Sequence, residues 1–201
     1  MSDNSGPQSG YSPPVRERAD AARNRVKVLD AAAQLFREHG VANVSMDQVA
    51  AAAGVGKGTL FRRFGDKAGL AVALLDEQER RLQAAILSGP PPLGPGAEPE
   101  ARLVAFLTAY VDFLDENLDL VHMSETARPG ARYAIGAYRL WHRHVAHLLE
   151  LADAKDPDYL AHVLLAPLAA DQRMALRSVA AARVKDGLAR LARAILEGER
   201  P

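Results

Sequence analysis

Within a dozen residues the chain places Lys57, Gly58, Thr59, Phe61, Arg62, Arg63 and Lys67. If 57–64 is helical, Leu60 and Phe64 stand four apart and share an inner face. The other side chains then point outward. Arginine can fork onto guanine or pair with a phosphate, and Thr59 can bond a phosphate or offer its methyl to thymine. Gly58 admits close backbone approach. Lys67 puts a cation beside a helix start, and both favour phosphate. This is chemistry that suits double-stranded DNA, although any short amphipathic helix of a plain helical bundle also carries an outer basic residue or two.

Other constellations carry less. His144 and His147 are three apart and could share a metal with His122 or Glu150. Histidines scattered along an amphipathic helix are ordinarily polar-face residues, so no metal and no cofactor are assigned. Phe106, Tyr110 and Phe113, with Tyr138, Trp141 and His142, form two aromatic clusters at helical spacing. Such groups suit a small-molecule cavity between helices, although the same spacing serves a core. No Gly-rich phosphate loop, G-x-S-x-G or H-E-x-x-H is present, and no enzyme activity is expected.

The elements that must position these groups are helices. The chain has 201 residues, with 48% hydrophobic and 5% aromatic. No alternating β-branched run marks a strand, so an all-α fold is expected. Cysteine is absent, which excludes disulfides and thiolate metal sites. The first 14 residues, rich in Ser, Gly and Pro, read as a disordered tail rather than a signal peptide. No apolar stretch is long enough for a membrane span, and a cytoplasmic protein is expected.

Val26, Leu29, Ala33 and Phe36 recur at helical spacing, and Gly40 stands where a cap would end that helix. Ser45 with Gln48 is a capping-box pattern that starts a second helix, burying Met46, Val49, Ala50 and Ala53. Gly54 makes the turn. The third helix is placed at 57–64. Gly65 and Asp66 separate it from a fourth over 67–87. The Pro/Gly cluster at 88–96 is a loop. Further segments are placed at 99–118, 119–126, 131–153, 157–176 and 179–197. About nine helices result, divided into a DNA-binding unit at 15–69 and a ligand-binding and dimerisation unit at 70–201.

Charge follows this division. Net charge is zero, yet residues 15–70 hold 10 Lys/Arg against 6 Asp/Glu, and 71–201 hold 15 against 18. The basic excess sits where a polyanion would bind. Leu160, Leu164, Leu168, Leu188, Leu191 and Ile195 supply apolar stripes for a dimer surface, about half of them equally suited to the core.

The stretch Val28–Phe36, Gly40, Val44–Ala50, Ala53-Gly54-Val55, Lys57–Phe64 and Asp66-Lys67 resembles the N-terminal signature of TetR-family regulators. The resemblance covers about 45 residues without gaps. It implies an all-α homodimer with three N-terminal helices for DNA and about six more for ligand and dimer contacts. It also implies that Lys57, Thr59, Phe61 and Arg62 lie on a recognition helix, that Lys67 clamps a phosphate and that Ser45 meets the DNA backbone. One position departs from the pattern. Relatives usually carry Tyr where this chain has Phe61, which lacks the hydroxyl that bonds a phosphate. The expected function is a repressor that binds a palindromic operator as a homodimer and is released by a small-molecule effector.

Overall fold

The computed structural model describes residues 15–126, 129–134 and 136–198. The tail expected at 1–14 lies outside them. Ten α-helices and two 3-10 turns, with no strand, make up the described residues: α1 (Val15–His39), α2 (Met46–Ala53), α3 (Lys57–Phe64), α4 (Lys67–Ser88), α5 (Pro99–Thr126), α6 (Ala131–Ala134), α7 (Gly136–Leu151), α8 (Pro157–Leu165), α9 (Ala170–Ala175) and α10 (Ala181–Gly198). None is long and apolar enough to cross a membrane.

The N-terminal helices follow local signals closely. Gly40 takes positive φ and its N–H bonds Phe36 O at 2.9 Å, closing α1. The apolar stripe of α1 is Val28, Leu29, Ala32 and Phe36. Val26 was expected inside, but it is 43% exposed. The buried face is rotated from the expected one because Val28 and Ala32 take the core positions beside Leu29. At α2 the expected capping box forms: Gln48 N–H donates to Ser45 Oγ, and Ser45 N–H donates to Gln48 Oε1 at 2.8 Å. Gly54 ends α2 in the left-handed region (φ 65°, ψ 34°), where a side chain is strained. Met46, Val49 and Ala50 are buried, and Ala53 is half-buried.

The later helices deviate more. The break expected near 118 is a kink inside α5 at Asn117, whose side chain donates back to Phe113 O at 2.9 Å. The single helix expected over 157–176 is interrupted by a 3-10 turn at Ala166–Leu168. Pro167 explains this, since it lacks the N–H that would continue the α-helical ladder, while Ala166 before it keeps helical dihedrals (φ −58°, ψ −46°). The segment placed at 131–153 divides into α6 and α7, with residue 135 outside the described set.

One continuous apolar core runs from Val28 in α1 to Leu196 in α10. Helix α4 joins its two ends, packing against α1, α3 and α5, with Glu77 and Arg81 in its middle paired to Arg25 and Asp30 of α1. At Gly69, in the first turn of α4, an added Cβ would lie 2.1 Å from Phe64 O. Only glycine lets α4 leave α3 at this separation.

Candidate nucleic-acid interface and central cleft

Helix α3 is held by Leu60, which is buried, and by half-buried Phe64. Lys57, Gly58, Thr59, Phe61, Arg62 and Arg63 are all exposed on its other side. The first turn of α3 has Gly56 as its N-cap and no side-chain cap bond. Asp66 caps α4 instead, accepting from Gly69 N–H at 2.8 Å.

The exposed cations differ in how firmly they are held. Arg63 Nη1 donates to Ala21 O at 2.7 Å, tying α3 to α1. Lys57 forms an ion pair with Asp47 across the turn, and both side chains are more than half exposed. An exposed pair of this kind contributes at most about 1 kcal/mol, so Lys57 can leave it. Lys67 Nζ donates to Ala42 O at 2.9 Å. A phosphate oxygen is a stronger acceptor than that neutral carbonyl. Among the described residues Arg62 has no hydrogen-bond or ion-pair partner. Ser45 Oγ is already engaged with Gln48. Phe61 is 45% exposed, an aromatic ring facing solvent on a polar surface. The ties of Arg63 to α1 and of Lys57 to Asp47 join residues far apart in sequence, and sequence spacing carried no signal for them.

The second feature is a cleft of about 1120 Å³ between the end of α4, α7 and α8. Ile86 and Leu87 form one wall, and Tyr138, His142, Asp158 and His162 are among the residues of the other. Of the six aromatic-cluster residues expected at a ligand site, Tyr138 and His142 line this cleft. Phe106, Tyr110, Phe113 and Trp141 instead stack on one another between α5 and α7. Their ring centroids lie 5.9 Å apart for Phe106–Tyr110, 5.5 Å for Tyr110–Phe113 and 5.8 Å for Tyr110–Trp141. All four are buried. Burial pushes the Tyr110 hydroxyl well above the usual phenol range.

Behind the cleft sits a buried ion pair. Arg132 pairs with Glu125 and also donates to Leu165 O at 2.9 Å and Leu168 O at 3.2 Å. Glu125 accepts a further bond from Ala170 N–H at 2.8 Å. The guanidinium lies 5.0 Å from the Tyr138 ring centroid. Composition and spacing gave no hint of this cluster, because its residues come from four separate segments.

The three α7 histidines do not converge. His144 lies edge-on to Phe106, with centroids 5.1 Å apart, and its Nε2 is buried without a hydrogen-bond partner among the described residues. Burial, with Arg102 and His147 nearby, lowers its pKa to about 4. His147 faces Glu150 at 3.7 Å. His142 points to α8 instead.

Two titrations bear on stability with opposite sign. Burial, with Asp76 adding to it, raises Glu79 from 4.5 to about 7. Its folded value exceeds its unfolded one, so its contribution is full below pH 4.5 and is lost as pH rises through 7. His144 is lowered, so its contribution is full above 6.5 and is lost as pH falls through 4. Glu79→Gln is expected to raise stability by roughly 1 kcal/mol at pH 8, after allowance for solvent screening, and to leave it unchanged near pH 4.5. Urea midpoints at the two pH values check this. Equal shifts at both would contradict it.

Of the residues expected at a dimer surface, Leu164, Leu168 and Leu188 are buried in the chain's own core. Leu160 and Ile195 are half-buried, and Leu191 on α10 is exposed.

Comparison with known proteins bears on the N-terminal unit first. Residues 28–74 match the family described as bacterial regulatory proteins, tetR family. An HTH-type transcriptional regulator of Staphylococcus aureus is 47% identical over 53 residues, which are 26% of this chain and 29% of that protein. The match therefore spans less than a third of that relative. Among solved structures, a transcriptional regulator from Cytophaga hutchinsonii aligns with a TM-score of 0.67 at 18% identity, covering 87% of this chain and 97% of the other. A transcriptional regulator of the TetR/AcrR family from Thermobifida fusca aligns with a TM-score of 0.61 at 22% identity, covering 89% and 100%. At these identities the likeness carries the fold alone.

Proposed function

We propose, from the match of residues 28–74 to the tetR family of bacterial regulatory proteins and from a fold shared with a solved TetR/AcrR-family regulator, that the chain is a non-enzymatic repressor that grips a palindromic operator as a homodimer. A small molecule taken up in the C-terminal helical unit releases it. The observation that carries this reading is the outer face of α3, where Lys57, Thr59 and Arg62 are exposed together on a helix anchored by Leu60. A dimer places two such helices about one DNA turn apart, or a multiple of it. The division into a DNA-binding unit at 15–69 and an effector and dimer unit from 70 onward belongs to the same proposal.

Arg62 reads base edges, and Lys57, Thr59 and Lys67 hold the DNA backbone. Ser45 serves chiefly to start α2, and Phe61 covers apolar sugar or methyl surface rather than bonding a phosphate. The cleft at Tyr138 and His142 takes the effector. Leu191, with the exposed parts of Leu160 and Ile195, offers apolar surface to the second copy.

The reading requires purified protein to bind a palindromic duplex from upstream of its own coding sequence, with affinity falling linearly in log salt. Absence of salt-dependent binding to any such duplex would overturn it. Lys67→Ala is expected to weaken binding alike for cognate and unrelated duplexes. For a dimer that loses two phosphate contacts, the salt slope should fall by about 2. An unchanged slope removes Lys67 from the interface.

A further inference from the structure

Where α7 crosses α8, at the wall of the cleft, three metal-competent side chains meet. His142 comes from α7. Asp158 and His162 are four apart on α8 and so share a face. One ligand atom from each lies within 4.8 Å of the others. His142 Nε2 is 3.8 Å from Asp158 Oδ1, and the two imidazole centroids are 4.0 Å apart. An ion with bonds of about 2.0–2.1 Å sets its ligands roughly 3.3 Å apart. The closure required is therefore small. The Asp158 side chain is 82% exposed and can swing to provide it.

The surroundings are those of a supported ligand set. Tyr138 Oη lies 2.7 Å from His162 Nδ1, which fixes the ring and leaves Nε2 for an ion. Metal-bound histidines ordinarily have their second nitrogen held in this way. Tyr138 is itself buried, stacked on His162 at 5.9 Å and backed by Arg132. His142 Nε2–H donates to Asp158 O at 3.0 Å, which brings α7 against the first turn of α8, and an ion bound through Nε2 takes the place of that bond.

We propose that His142, Asp158 and His162 form a site for a divalent first-row transition ion, which clamps α7 to α8 at the wall of the cleft. Two imidazoles and one carboxylate suit Zn²⁺, Co²⁺ or Ni²⁺, whereas Mg²⁺ and Ca²⁺ prefer all-oxygen sets. Three protein ligands leave a coordination position open to the cleft, where water or an effector's donor atom would sit. The site does not depend on the DNA-binding reading, and the two fail separately.

The test uses full-length protein without a polyhistidine tag, stripped with a chelator and titrated with Zn²⁺ by calorimetry. One ion per chain is expected. His142→Ala and His162→Ala should each weaken binding by at least 10-fold, and Tyr138→Phe should weaken it less. His147→Ala, outside the set, should leave it unchanged. In the wild-type protein, Co²⁺ should shift the ring resonances of two histidines selectively, a readout that needs no variant to fold. No Zn²⁺ binding, binding indifferent to His142→Ala and His162→Ala, or Co²⁺ shifts on other histidines would overturn the site. Operator binding measured on the same protein remains a separate result.

Discussion

Arg132→Met is expected to destabilise the protein by about 3–5 kcal/mol, a large share of the stability of a domain this size. The side chains of Arg132 and Glu125 are 9% and 6% exposed. Removing the guanidinium leaves a buried carboxylate with the Ala170 N–H as its one remaining bond among the described residues, and takes a donor from the carbonyls of Leu165 and Leu168. It also removes the cation facing Tyr138. The loss comes mostly from the uncompensated charge, since a buried pair contributes little net stability over apolar replacements. The double variant Arg132→Met with Glu125→Leu should therefore recover much of it. Urea unfolding of the single and double variants checks both statements. A single-variant loss below about 1 kcal/mol, or a double variant worse than the single, would contradict the account.

Arg62→Ala is expected to weaken operator binding by about 10- to 100-fold, the effect of losing a bidentate contact to a base. Its effect on unrelated duplexes should be much smaller. Arg62 is the residue to expect this of because it is exposed on α3 and has no partner among the described residues. Arg63 is the contrast, since its guanidinium is spent on Ala21 O. Arg63→Ala should act through the seating of α3 on α1, with similar losses for cognate and unrelated DNA. Competition binding with both duplex types separates the two. Equal losses for Arg62→Ala on each duplex would move Arg62 from base reading to backbone contact.

The first three helices were legible in the sequence because what shapes them is local. Ser45 and Gln48 close their box within four residues, and Gly54 and Gly65 mark turns by their own conformational freedom. The outer face of α3 followed from helical period alone once Leu60 was taken as its anchor. The C-terminal helices follow different physics. Phe106 and Tyr138 have similar apolar bodies at similar spacing, and only the packing of α5 against α7 decides that one is core and the other cleft wall. The Arg132–Glu125 pair and the meeting of His142 with His162 are likewise products of packing between segments. Pairing His144 and His147 with His122 or Glu150 misses His162. An i, i+4 Asp158/His162 pair just after Pro157 was available as a signal, but its partner could not be identified without the crossing of α7 and α8.

Helix α4 has 22 residues, a rod of about 33 Å at 1.5 Å per residue. Its far end supplies Ile86 and Leu87 to the cleft, and its near end carries Lys67. Gly69 presses that near end against the Phe64 carbonyl at the end of α3, with no side chain between them to absorb movement. A rod mounted in this way is a lever. Tilting it by about 5° at the cleft end swings the Lys67 end by roughly 3 Å over that length. That is comparable to a hydrogen-bond distance, so, if the cleft takes an effector as proposed, a modest adjustment around it would translate into loss of register at the DNA.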